Sequence, residues 1–263
     1  MAIVGLSSLF LFLKEEPFEK IIEEVKSERE SSQNPDIWEI VDEGFHSITR
    51  NRVKLIQDLS SQGYTFTIHS PYSRINIADI NSSRRRESLA KLKKSIETAA
   101  LIEAKAFVLH PGLKTDCNDR IISKLNEESI LTLYDYAGSF GILLALENMN
   151  PNTQYFMTKP VDFEEFFKRN NIRLKIVFDL GHAHIGSNIY DFISKLSDRF
   201  ITVHSHDNNS DRDAHFGIGE GSIDWKGVIS QLIRRDFRGM HIVEAVRKPY
   251  ESVGKLKEML HPY

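Results

Sequence analysis

Short apolar runs recur along the chain, and each is followed by a longer stretch in which apolar residues return every three or four positions. The runs are rich in β-branched and aromatic residues, which suits buried strands; the longer stretches have the period of helices lying on a core. Strands are predicted at Ile3–Ser7, Ile37–Val41, Phe66–Ser70, Ala106–His110, Leu143–Glu147, Lys175–Asp179, Phe200–Ser205 and Met240–Glu244. Helices are predicted at Pro17–Glu30, Ile48–Gln62, Arg85–Ala104, Asn126–Ser139, Pro160–Asn170, Ile189–Asp198, Trp225–Asp236 and Tyr250–Leu260. Several of them open on Pro, Ser or Asp in the first turn. Strictly alternating strands and helices, eight of each, predict an α/β fold: a closed parallel (β/α)8 TIM barrel. The first predicted turn, GLSSLFLF, lacks the G-x-G-x-x-G of a doubly wound dinucleotide-binding sheet. Gln33–Asn34–Pro35 and Asn208–Asp213 read as loops, and no fixed-period repeat suggests a solenoid, so residues 1–263 are expected to form one domain.

Composition narrows the chemistry. A chain of 263 residues, 41% hydrophobic, has the size and core-forming content of one such barrel. Its net charge of −3 gives no global basic field for nucleic acid, although an average of this kind excludes no local stripe. Cys117 is the only cysteine, which excludes an intramolecular disulfide and any cluster of thiolate ligands and fits a reducing compartment. The apolar opening Met1–Leu13 lacks a basic leader and is too short to span a bilayer, so it reads as the first core strand of a cytoplasmic protein with no membrane partner. Leu9–Leu13 reads first as a strand-to-helix connection packed under the barrel helices, with a pocket wall or a contact to a partner subunit as the alternatives.

Six consecutive predicted strands carry a metal-ligand type at or near their C-terminal end: His69, His110, Glu147, Asp179, His204 and Glu244. His182 follows Asp179 at a D-x-x-H spacing, and Asp213 and His215 lie in a loop as D-x-H. In a parallel barrel the C-terminal strand ends meet at one rim, where active sites are built. A carboxylate that ends an apolar strand is costly to bury unless it is paired or coordinated to a cation. Imidazole and carboxylate donors without thiolate suit zinc, manganese or iron(II) at a catalytic site. The period of two in ITVHSHDN places His204 and His206 on one face, His204 the deeper and His206 a candidate substrate contact. His46, His184, His241 and His261 fall at loop or strand-start positions and read as ordinary polar residues.

The motifs HSPY (69–72), HPG (110–112), LEN (146–148), DLGH (179–182), VHSHDN (203–208), GIGEG (217–221) and VEA (243–245), in this order, resemble the xylose-isomerase-like barrel superfamily, which includes endonuclease IV and the sugar isomerases and epimerases. The likeness runs from about Thr65 to the C-terminus and covers all nine ligand positions of the three-zinc endonuclease IV site. It implies one cation among His69, His110 and Glu147, and a second that shares Glu147 with Asp179, His204 and Glu244. A third would lie among His182, Asp213 and His215. Up to three Zn2+ are thus implied, with Mn2+ or another divalent metal as a variant. The implied reaction is phosphoester hydrolysis, cleavage of abasic DNA by a metal-bound hydroxide, with Glu147 and Glu244 in the catalytic set. Tyr72 stands at the spacing of a DNA-contacting tyrosine. The basic cluster Arg84–Arg85–Arg86 with Lys91, Lys93 and Lys94 reads first as a solvated helix face.

Three segments depart from the nuclease pattern: GLSSLFLFLKEE after the first strand, the acidic WEIVDEG (38–44), and MNPNTQYF after LEN. An acidic loop repels a phosphate backbone and suits hydroxyl recognition. These departures favour a second reading, a mononuclear sugar isomerase or epimerase. There Glu147, Asp179, His204 and Glu244 hold one metal, the two glutamates exchange a proton at a sugar carbon, and Tyr155–Phe156 pack on a small polyol.

Overall fold

The computed structural model describes residues 2–27, 32–115 and 118–260; Cys117, His261 and the predicted helix end at residues 28–30 lie outside them. Every predicted strand forms. They are β1 (Ile3–Ser7), β2 (Ile37–Val41), β3 (Phe66–His69), β4 (Phe107–Leu109), β5 (Leu144–Glu147), β6 (Lys175–Asp179), β7 (Phe200–Ser205) and β8 (Met240–Val243). All neighbours pair in parallel in chain order, and β1 closes the barrel against β8. Because side chains alternate along a strand, each run serves two cores. Outward residues such as Leu6, Ile40, Phe107, Leu146 and Phe178 join the large layer under the helices. Val108, Ala145 and Val177 form a separate small cluster with Ile201 inside the barrel. Each such fully buried aliphatic or aromatic side chain contributes about 1.5–3 kcal/mol.

Two details aim the site. Between Ile176 and Val177 the β6–β7 register shifts, so Phe200 pairs with Ile176 and Thr202 with Val177, skipping Ile201. Phe200 therefore stacks outside the barrel on Phe178, with centroids 4.6 Å apart, and the extra residue resets the alternation that turns His204 inward. At the other end, a Cβ on Gly5 would lie 2.5 Å from Ile242 Cδ1 and 2.6 Å from Ile37 Cγ2, so the floor of the barrel is filled around a residue with no side chain.

The helices depart from expectation mainly at their starts. Asn81 accepts from Ser83 and Arg84 N–H to open α4 (Ser82–Leu101), and Asn118 accepts from Arg120 and Ile121 N–H to open α5 (Asp119–Ser139), ahead of the predicted Asn126. The remaining predicted helices are found as α2 (Phe18–Lys26), α3 (Arg50–Ser60), α6 (Pro160–Asn170), α8 (Ile189–Leu196), α9 (Trp225–Arg234) and α10 (Pro249–Leu260). Two short ones were not expected. Leu9–Leu13 is α1, a helical turn at the barrel mouth rather than a connection beneath the helices; Phe10 and Leu11 pack inward, while Leu9 and Leu13 line the central cavity. Leu180–Ile185 is α7, opened by the Asp179 carboxylate, which accepts from His182 N–H at 2.7 Å. Among the described residues no helix is long and apolar enough to cross a membrane.

Candidate metal centre

The strand-end donors converge as three groups whose ligand atoms lie within 4.8 Å of one another: His69, His110 and Glu147; Glu147, Asp179, His204 and Glu244; and His206, Asp213 and His215. Glu147 joins the first two by dividing its carboxylate. Oε2 faces His110 Nε2 at 3.0 Å and His69 Nε2 at 3.6 Å, while Oε1 faces His204 Nδ1 at 3.5 Å. His204 Nδ1 also lies 3.4 Å from Glu244 Oε2 and 3.9 Å from Asp179 Oδ2.

The third group differs from the expected trio. His206, predicted as a substrate contact, is buried, does not line the cavity, and sits 3.2 Å from Asp179 Oδ2 and 3.7 Å from Asp213 Oδ1. Its ring stacks on His215 with centroids 4.0 Å apart. His182 stands beside the group, its Nε2 3.1 Å from Asp213 Oδ2. Gly181 makes room for this, since a Cβ there would meet the His206 ring at 2.0 Å.

Three imidazoles are fixed in one tautomer by backbone carbonyls. Nδ1–H donates to Ser70 O from His69 (3.0 Å), to Asn148 O from His182 (2.9 Å) and to Glu244 O from His215 (3.0 Å). A carbonyl can only accept, so in the neutral form each ring turns the lone pair of Nε2 to the cluster, the arrangement that prepares histidine for a metal. Asn148 and Asn208 hold the frame. Asn148 donates to Asp179 O and accepts from Asp179 N–H, and Asn208 donates to Gly181 O. Asp207 accepts from Gly219 N–H, Ile223 N–H and Trp225 Nε1–H, which ties down the far end of the loop carrying Asp213 and His215. Sequence reading passed over these residues, although each directly follows or separates predicted ligands.

The donor set fits divalent cations. Glu147, Asp179, Asp213 and Glu244 form ion pairs only with histidines among the described residues, and no Lys or Arg compensates them. Glu147 Oε2 and His204 Nδ1, both turned to the other donors, are buried without a hydrogen bond. Groups so placed cost several kcal/mol each unless a cation is shared among them. Burial opposes the His204 and His182 imidazolium forms, yet Glu244 and Glu39 beside the first and Asp179 and Asp213 beside the second raise both well above the usual value. Burial, reinforced by Glu39 and Glu147 against the pull of His204, pushes the Glu244 carboxyl up to about 7.

The acidic run is not a substrate-facing loop. Glu39 lies within β2 and points into the barrel; Asp42 accepts from Ser95 Oγ and Ile48 N–H; Glu43 accepts from Tyr72 and Ser73 N–H at 2.8 Å each. None of the three lines the cavity. The basic cluster is a helix face as expected, with Arg85 on Asp79 O, Lys91 paired to Glu87 and Lys93 over Tyr136. His46 is buried on a 3-10 turn and bonds Glu16 O, and His184 bonds Asn208.

Above the donors opens a cavity of about 280 Å3, walled by ligands on one side and by Leu9, Leu13, Met149, Tyr72 and Tyr155 on the other. Tyr72 lies nearly parallel to the His110 ring at 5.7 Å, and Tyr155 meets it edge-on at 5.6 Å; Phe156 does not line the cavity but carries Lys114 over its ring.

A family model for the xylose isomerase-like TIM barrel matches residues 33–261. The chain belongs to this family. Within the xylose isomerase-like family it is 31% identical to an uncharacterized protein of Methanocaldococcus jannaschii over 245 residues, 90% of this chain and 83% of that one. It is 32% identical to a probable endonuclease 4 of Staphylococcus aureus over 223 residues, 74% of this chain and 70% of the relative. Among solved structures, a D-tagatose 3-epimerase-like protein superposes with a TM-score of 0.86 at 28% identity, covering 98% of this chain and 95% of the other. The superfamily consists of enzymes, epimerases, isomerases and endonuclease IV among them.

Proposed function

We propose that this chain is a divalent-metal-dependent phosphoester hydrolase holding up to three cations, zinc the best suited, with abasic DNA as the substrate to test first. The observation that carries this reading is the set of donors outside the four-residue core. His69, His110, His182, Asp213 and His215 are not needed as ligands at a one-metal site, where they would be left to substrate hydroxyls, yet His69, His182 and His215 each spend Nδ1–H on a carbonyl and turn Nε2 to the cluster. When bound, clustered divalent cations neutralise a phosphate, acidify water and stabilise a leaving oxygen. The chain's own part is positioning: Glu147 keeps two donor groups adjacent with its two oxygens, Tyr72 and Tyr155 offer aromatic faces to a sugar or base, and Leu9 and Leu13 exclude water from the opposite wall. The 32% identity to a protein named a probable endonuclease 4 supports the reading. Elemental analysis is expected to find close to three zinc per chain, with nicking of an abasic-site duplex that is lost in His182→Ala. One metal per chain and no nicking by the wild type would overturn it.

A second reading is favoured by the cavity itself. It is small and lined by no Lys or Arg among the described residues, which suits a compact sugar better than a polyanion. The superposition on a D-tagatose 3-epimerase-like protein agrees with it. In this reading Glu147 and Glu244 exchange the proton of a keto-sugar carbon beside one cation. Solvent deuterium incorporation into a ketohexose, lost in Glu244→Gln and retained in His182→Ala, is its signature.

A further inference from the structure

Glu39 is a carboxylate with no assigned task at the bottom of the donor cluster. It sits on β2 between Ser7 of β1 and Thr67 of β3, fully buried at 0% exposure. Thr67 Oγ1 donates to its Oε2 at 3.2 Å, and Oε1 has no hydrogen bond. Oε2 also lies 3.4 Å from His204 Nε2. A charge left in a barrel interior where an aliphatic residue would pack is costly, so its retention calls for a partner.

His204 supplies that partner, and it stands apart from the other ligands. His69, His182 and His215 each have a carbonyl behind the ring that takes Nδ1–H, whereas His204 makes no hydrogen bond within the protein at either nitrogen and faces the donors Glu147, Asp179 and Glu244 with Nδ1 instead of Nε2. The nitrogen left over, Nε2, points at Glu39. We infer that Glu39 is the positioning residue of His204: its carboxylate accepts the Nε2 proton, fixes the ring's orientation and tautomer, and leaves Nδ1 bare toward the four-residue core. Glu39 thereby does from across the barrel what carbonyls do for the other three imidazoles, with added charge that makes Nδ1 a stronger donor. The inference rests on the metal-dependent reading above and holds for either form of it, since both use His204.

The test uses the full chain with Zn2+ and Cd2+ as probes. In chelator competition, Glu39→Gln, which keeps an acceptor oxygen but loses the charge, is expected to weaken Zn2+ at the core group about 10-fold, and Glu39→Met, which keeps only the shape, about 100-fold. In 113Cd-loaded, 15N-histidine-labelled protein, the wild type is expected to show cadmium coupling to His204 Nδ1 and a proton on Nε2, with the His204 signals assigned by their loss in His204→Asn. Equal Zn2+ affinity in all three proteins, or coupling through Nε2, would overturn the role of Glu39 while leaving the metal site standing. A wild type that binds neither ion removes the metal reading itself. Glu39→Gln is isosteric and keeps the comparison intact should Glu39→Met fold poorly.

Discussion

His204 and His241 lie on neighbouring strands, where Val203 pairs with His241 and His204 with Ile242, and both are buried. They face opposite sides of the same sheet. His204 looks into the barrel among Glu39, Glu147 and Glu244, which raise its pKa well above the usual value despite burial. His241 looks outward, edge-on to Phe237 at 5.2 Å, and burial alone pushes it down to about 3. Depth in the protein therefore says little about a histidine; the company on its side of the sheet decides whether it gathers charge or refuses it. His241, expected to be an ordinary polar residue at a strand start, is a neutral member of the apolar layer.

The comparison can be broken most sharply on the inner side. Glu147→Gln removes the negative charge of a carboxylate divided between two donor groups, so metal content by elemental analysis is expected to fall by two ions per chain and catalysis with it. Unchanged content would mean that the two groups do not share this residue. A smaller effect is expected at Gly181→Ala, where the new Cβ meets the His206 ring. Overpacking there costs about 1–3 kcal/mol in urea unfolding, and a stability equal to wild type would show that the His206–His215 stack is free to shift. The smallest effect belongs to the outer side. The unfolded chain binds a proton at His241 near pH 6.5 while the fold refuses it until about 3, so this residue lowers stability as pH falls through that interval. His241→Leu is expected to reduce the loss of stability between pH 7 and pH 5.5 by about 1 kcal/mol; an identical pH profile would place the titrating group elsewhere.

Much of the barrel was legible because a buried parallel strand is a short apolar run, and in this chain those runs end in ligands. His69, Glu147 and Asp179 end their strands, and His110 and Glu244 follow theirs by one residue. Side-chain direction was harder to read. The shift between β6 and β7 breaks the period of two at Ile201, so alternation counted from Phe200 would have turned His204 outward. Glu39, Asp42 and Glu43 read as one acidic loop, yet they face the barrel, α4 and the Tyr72 turn respectively, because they straddle a strand end where the backbone changes course. The Glu39 position was within reach of alternation along β2, where Trp38 and Ile40 face outward. The exchange of His182 for His206 in the outer group was not, since it depends on a glycine that lets two rings approach. Leu9–Leu13 is too short and too uniformly apolar for any period to mark it as a helix.

The filled floor around Gly5, with Ile37 and Ile242 pressed against it, turns the barrel into a blind well. The donors face the cavity that Leu13 and Tyr72 help to line, on the side away from that floor. On the proposed reading, product leaves by the path that the next substrate takes, and the last molecule in is the first out.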